Sequence, residues 1–528
     1  MPRKPHTASR SRLALATASL AAAALLLSAC AGGASPQTAG ETATPVAGGT
    51  LTFGRVAAVN NLDLNQQITA NNAFAIDKIF EPLVAFDEHG KIGPWLAEYE
   101  ESDNGLVYTF TLRDGLRFSN GTEVTPADVV FSLNRHLEVG GPLPLTAPIA
   151  SIEATGDREV TITLTAPYTP FLSELSGFSN GIFPADFGGV SEEEFFKNPV
   201  GTGPFVVDKW DPNGDLSFVK NTHYWQEGKP YLDGLVYKVV ADDTQLRQQL
   251  AAGQVDAIDT VPAANAAEVD AAADTVLSKT DGWSTEQVFF NTQREQFADP
   301  HVRRAIAHAL DRPGITSATT FGTAEVANAL LPPTITYSAN DTVKALDFDV
   351  SAAKSELAKS AYPDGFKTTL LIASGNSQRA QIAQIVQESL SKIGIDVEIE
   401  QLDIAVFRER FFAYDYDVML NSGQSDAPDP NGFITFQADP EGFSKSYWTH
   451  YTNDKVTTLM EEGRTTPPGD ERKAIYAEIQ QILADDVPYI PLFFPSNLKA
   501  TTGDVHGFTV LPNSSVRFQD AWLSGGGK

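Results

Sequence analysis

A chain of 528 residues with 42% hydrophobic and 20% charged residues has the composition of a globular protein, long enough for about three domains of ordinary size. Its 67 acidic residues outnumber 38 basic ones, and the net charge of −29 disfavours nucleic acid and anionic lipid as partners. The single cysteine, Cys30, excludes a disulfide framework and a thiolate metal cage, and eight unclustered histidines argue against direct metal capture by imidazole.

The first 29 residues stand apart from the rest. Arg3, Lys4, Arg10 and Arg12 form a basic start, and Leu13–Leu27 is an apolar run too short to span a bilayer comfortably, the pattern of an export signal. Leu27-Ser28-Ala29-Cys30 resembles the lipobox of bacterial lipoproteins, in which the cysteine is acylated and becomes the first residue, so Cys30 is the expected lipidation site. Diacylation supplies the more than one chain that stable anchoring requires. Residues 30–48, rich in Ala, Gly, Ser, Thr and Pro, read as a flexible tether. Without the signal the chain carries 34 basic and 67 acidic residues, a charge of −33 that suits solubility outside the cell and would help a cationic ligand.

Gly49–Gly54 reads as the opening strand, and Asn61-Leu62-Asp63 follows in a polar loop. Ala73–Phe86 holds an apolar helix and then Glu81-Pro82-Leu83-Val84. Tyr108–Leu112 is aromatic and β-branched, a strand. Asp114-Gly115 supplies a tight turn, Leu116–Phe118 returns, and Asn120-Gly121 turns again. Thr125, Pro126 and Asp128 predict a capped helix with Val129, Val130, Leu133 and Leu137 on one face. Glu153–Leu164 reads as one strand and Tyr168–Leu175 as a short helix. Gly177-Phe178-Ser179-Asn180-Gly181 matches G-x-S-x-G, but a nucleophile elbow needs a helix directly after it and Pro184 blocks one. Catalysis by Ser179, and with it a secreted hydrolase, is not expected.

Asn198–Val206 (NPVGTGPFV) packs two glycines and a proline into a change of direction. Asp211, Asn213 and Asp215 superficially resemble a calcium loop, but Leu216 and Thr222 occupy the positions that require Gly and Glu. Thr244 is placed as the cap of a helix ending at Gly253. Val288–Asn291 reads as a strand, and Asp299 and Pro300 start a helix on which His301 and His308 have surface or packing roles. Lys367–Ile372, Ser377–Ile393 and Ile395–Ile399 form a β-α-β unit closed by Gly394. Glu471–Ala484 is an amphipathic helix before the buried strand VPYIPLFF. Tyr416–Leu420 is a strand, and the polar loop Asn421–Pro430 at its carboxyl end is a usual place for ligand contacts in α/β sheets.

The string LRDGLRFSNGTEVTPADVVFSLNR closely resembles the signature of solute-binding protein family 5, the extracytoplasmic receptors of oligopeptide, dipeptide and nickel ABC importers. NPVGTGPF, YW with KPYLD, GQVDAID and NTQREQFADPHVRRAIAHALDRPGI match further family segments, in the family's order, over roughly Gly49 to Trp522. The resemblance implies an α/β fold of the type II periplasmic-binding-protein kind, two lobes around a ligand cleft with an extra subdomain in the first lobe. It divides the chain into a signal (1–29), tether (30–48), lobe I (49–90, 203–285 and 498–524), extra subdomain (91–202) and lobe II (286–497). It implies a monomeric receptor held outside the cell membrane by its lipid anchor, with permease subunits and a small-molecule or peptide ligand as partners. Nucleic acid, cofactor and catalysis are not implied.

Peptides are the first ligand class, with nickel chelates, haem, oligosaccharides and opines taken by other members. In peptide-binding relatives an acidic residue pairs with the ligand's α-ammonium, and Asp426 is the best match by spacing. The backbone of Gly423 and Gln424 would take up peptide main chain by strand addition. Asn61, Trp283, Phe433, Trp448 and Tyr451 are further candidates, core packing being the alternative for the aromatics. Gly201 and Gly203 are assigned near the hinge, the alternative being a tight turn without a ligand role.

Overall fold

The computed structural model describes residues 44–66, 69–141, 145–240, 242–442 and 444–525. The export signal, Cys30 and nearly all of the tether read from the sequence lie outside the described residues.

Twelve strands form the central sheet: β1 (Thr50–Arg55), β2 (Phe205–Trp210), β3 (Leu216–Lys220), β4 (Gly234–Val239), β5 (Ala257–Ile258), β6 (Thr275–Asp281), β7 (Ser284–Phe290), β8 (Ala324–Val326), β9 (Lys367–Ala373), β10 (Asp396–Leu402), β11 (Val418–Gln424) and β12 (Tyr489–Thr502). Their order is β10-β9-β11-β7-β12-β5-β1-β4-β3-β2, with β6 and β8 also on β12. β12 joins two halves, because Tyr489–Phe493 pair with β7 whereas Ser496–Thr502 pair with β6. β6 runs into β7 through Gly282-Trp283, so the two crossings between the halves lie side by side.

In the second half the sheet is covered on both faces. Successive side chains of a strand point to opposite sides, and Val288 and Phe290, Leu370 and Ile372, and Val418 and Leu420 fill one core. Phe289, Leu371 and Met419 fill the other. These strands therefore read as unbroken apolar runs rather than alternating ones. β9, helix Ser377–Ser391 and β10 make the expected parallel β-α-β unit, with Gly394 at φ 86° after the helix.

A separate antiparallel sheet holds Ala97–Glu101, Val107–Leu112, Glu159–Leu164 and Ile149–Ala154 in that order. Tyr108, Phe110, Leu112, Val160 and Ile162 pack in a core with Val129 and Leu133 of helix Pro126–Val139. Its cap is as read from the sequence: the Thr125 N–H donates to Asp128 Oδ2 at 2.7 Å. Four local expectations change. Leu116–Phe118 makes only a bridge from Arg117 to Glu123, because Val107–Leu112 is already paired on both edges. The stretch 153–164 is a hairpin turning between Ala154 and Glu159. Asp242, whose carboxylate accepts from Gln245 N–H, caps the helix assigned to Thr244. Finally, β11 continues through Asn421–Gln424, which the sequence reads as loop.

Candidate ligand-binding site

Asp426 sits on the short connection between β11 and helix Pro430–Ala438. The connection is pinned on both sides. Ser425 N–H donates to the Trp283 carbonyl at 2.9 Å, and Asp429 caps the helix through the Asn431 N–H at 2.8 Å. Arg472, buried, grips the Asp429 carboxylate with two bonds of 2.7 and 2.8 Å. Bidentate geometry of this kind fixes orientation as well as position. The Asp426 carboxylate is held in place by its backbone alone: it has no hydrogen-bond or ion-pair partner among the described residues. Asp426 is half-buried, and the desolvation this brings raises its carboxyl to about 6.

It lines a cavity of about 90 Å³ whose opposite wall includes Phe74, Lys78, Glu81, Trp95 and Arg517. Burial raises Glu81 to about 7, against the pull of donors from Trp95, Trp225 and Tyr224 at 2.9 to 3.0 Å. Burial lowers Arg517, whose guanidinium lies 4.8 Å from the Trp95 ring centre and donates to the Phe86 carbonyl. Lys78 is lowered by burial and paired with Asp77 at 2.6 Å. One carboxylate thus enters from the second half of the sheet to face a mixed wall on the first.

Hydrogen bonds join the second half to the rest of the chain. Gln424 Nε2 donates to the Asn513 carbonyl at 3.0 Å, and Asn431 Nδ2 to the Tyr168 hydroxyl at 3.2 Å. Thr169 N–H donates to the Arg464 carbonyl at 2.8 Å, and Asp429 N–H to Ser173 Oγ at 3.1 Å.

The other residues singled out in the sequence are dispersed. Gly423 is buried and paired with Thr285, and a Cβ there would lie 1.7 Å from Gln437 Nε2. Asn61 closes its own loop by accepting from Asp63 N–H at 2.9 Å and is not in the cavity wall. Phe433, Trp448 and Tyr451 are core residues of the second half, Trp448 packing 4.7 Å from Phe411. Their aromatic character marked burial, not the cavity. Trp283 is fully buried 4.9 Å from Phe86, and its indole N–H has no hydrogen-bond partner.

Gly201 and Gly203 lie against the Ile79 and Lys78 carbonyls, where a Cβ would come within 2.0 and 2.3 Å. Ser179 lies in a 3-10 turn following a helix, not on a strand-to-helix elbow. His301 bonds Glu356 and His308 the Asp347 carbonyl, and no group among the described residues is arranged to hold a metal. Sequence reasoning missed Glu81 and Arg517. Glu81, in the segment after the helix read from Ala73, carried no chemical signal, and neither did Arg517.

Residues 91–445 match the model described as bacterial extracellular solute-binding proteins, family 5 middle. The chain belongs to this family. Over 488 residues it is 28% identical to the glutathione-binding protein GsiB of Escherichia coli O6:K15:H31, covering 89% of this chain and 94% of that protein. It is also similar to the Helicobacter pylori periplasmic binding protein DppA in complex with peptide STSA, at TM-score 0.83 and 28% identity over 91% of this chain and 99% of that one. A third similarity is to AgaA in complex with agropinic acid, from A. tumefacien R10, at TM-score 0.81 and 28% identity over 90% and 99%. The fold is the two-lobed α/β fold of these extracytoplasmic binding proteins, and the cavity at Asp426 lies between halves of the sheet.

Proposed function

We propose that this chain is the lipid-anchored substrate-binding receptor of an ABC importer, that it captures a short peptide by its α-ammonium, and that it delivers it to the permease. One observation carries the ligand reading. Asp426 is a carboxylate desolvated in a cavity between the halves with no partner of its own. A half-buried, partly desolvated carboxylate gains from a paired cation, and an ammonium supplies both charge and hydrogen bonds. The relatives' names agree in class, because glutathione and the peptide STSA both carry free amino groups. Agropinic acid on AgaA keeps an opine as the second reading.

In this account lobe I comprises 49–90, 203–285 and 498–524, the extra subdomain 91–202 and lobe II 286–497. Closure is a hinge motion about the paired crossings at Gly282-Trp283 and Phe494–Ser496, biased by contacts a ligand makes only in the closed state. No covalent step is involved, and the receptor works as a monomer outside the membrane, tethered through Cys30. The test is a thermal-shift panel of peptides of two to eight residues, opines, nickel chelates and oligosaccharides. A true ligand at about 100 times its Kd adds roughly 2.7 kcal/mol. A shift with free peptides that N-acetylation removes is expected, and a shift only with sugars or chelates would overturn the peptide assignment.

A further inference from the structure

A second cavity, of about 180 Å³, opens at the carboxyl ends of β1 and β5, with Arg55, Asn71, Tyr237, Asp259 and Lys499 in its wall. This is far more than the roughly 10–15 Å³ that admits a water. Phe74 lines both this cavity and the one at Asp426, so the two adjoin. Lys499 is 3% exposed, and its ammonium makes a single hydrogen bond, to the Asp259 carbonyl at 2.8 Å, and no ion pair among the described residues. Arg55, 1% exposed, gives one Nη to the Asn71 carbonyl and the other to its Oδ1 at 3.1 and 3.0 Å. Its Nε stands 3.5 Å from Asp259 Oδ2 and forms no hydrogen bond.

The charges do not balance. Two buried cations share one carboxylate, and that carboxylate leans toward Arg55 while its Oδ1 stays unbonded. The neighbouring Lys78 and Asp77 cancel each other at 2.6 Å. Two of the three N–H donors of Lys499 therefore have no acceptor in a polar space large enough for several heavy atoms. A buried ammonium is costly unless an anion pairs with it. Burial lowers Lys499 to about 8, so it still carries its proton at neutral pH.

We infer that the Arg55–Lys499 cavity is a binding site for a carboxylate of the transported ligand, met chiefly by Lys499, while the ligand's ammonium lies at Asp426 in the adjoining cavity. The inference rests on the receptor reading above and narrows the ligand to zwitterions whose carboxylate stands apart from the ammonium, as in short peptides.

The experiment uses the purified full-length protein, freed of bound ligand by mild unfolding and refolding. Glutathione and Ala-Ala-Ala are titrated as free acids and as carboxyl amides, into wild type and Lys499→Met. Amidation is expected to weaken binding by tenfold or more in wild type and to make no further difference in the variant. Ligand-free Lys499→Met should melt at or above the wild-type temperature, since it removes an uncompensated buried charge. A melting temperature several degrees lower, or an equal amidation penalty in both proteins, overturns the site. Arg55→Gln repeats the comparison should Lys499→Met not fold. If neither free acid binds the wild type, the peptide reading falls, and acetate then tests the cavity alone. Saturable protection by acetate that Lys499→Met abolishes keeps the anion site, and no protection overturns it.

Discussion

Asp426 and the residues around it set the most specific expectations. Its carboxyl, raised to about 6 by burial, takes up a proton on folding at pH values where the unfolded chain, near 3.8, does not. Its burial therefore costs stability above about pH 6, and the cost is relieved as pH falls toward 4. Asp426→Asn should make the ligand-free protein more stable than wild type at pH 7.5, by about 1–3 kcal/mol, with the difference closing by pH 4. Glu81, raised to about 7 in the same cavity, titrates in both proteins, so comparison of the two melting curves isolates Asp426. The affinity of wild type for a ligand with an α-ammonium should fall about tenfold per unit below pH 6. Arg472 serves the site through Asp429. Arg472→Leu leaves that carboxylate unpaired, and urea unfolding should show a loss of about 3–5 kcal/mol, with weaker ligand binding because the loop bearing Asp426 is released.

At the scale of elements, the sequence was legible where apolar pattern and capping agree. Helix Pro126–Val139 follows from Thr125, Pro126 and Asp128, and Asp128 also accepts from the Ala185 N–H at 2.7 Å. Asp128→Ala should thus cost about 1–2 kcal/mol in chemical denaturation, more than a cap alone, with ligand affinity unchanged. The strands at β7, β9 and β11 were also legible, and the structure buries them on both faces. What stayed hidden depended on partners distant in sequence. Asn421–Gln424 are turn-forming types, yet their ladder with β7 overrides local preference. Leu116–Phe118 looked like a returning strand, but the neighbouring edges were taken. Asp426 could be named from the resemblance, as the best match by spacing to the acidic residue of peptide-binding relatives. Glu81 and Arg517, which reach the same cavity from far along the chain, could not. Phe433 and Trp448 lie in the core, the alternative reading for them, because aromatic identity reports burial without saying which surface is buried.

At the scale of the molecule, two crossings join the halves, a cavity lies between them, and the chain belongs to a family of solute-binding proteins; closure on a ligand is the proposal built on these. On the proposed anchoring through one acylated residue, Cys30→Ser is expected to move the protein from the membrane fraction to the soluble fraction without changing its ligand affinity. Persistence at the membrane would refute the lipobox reading. The central claim is that a half-buried, unpartnered Asp426 captures a peptide's ammonium. Calorimetric titration at pH 7.5 of a binding peptide and its N-acetyl form, into wild type and Asp426→Asn, measures this most directly. The account predicts saturable binding by the free peptide to wild type alone, with a loss of at least a hundredfold on acetylation or substitution. Equal binding of both peptides by both proteins would contradict it.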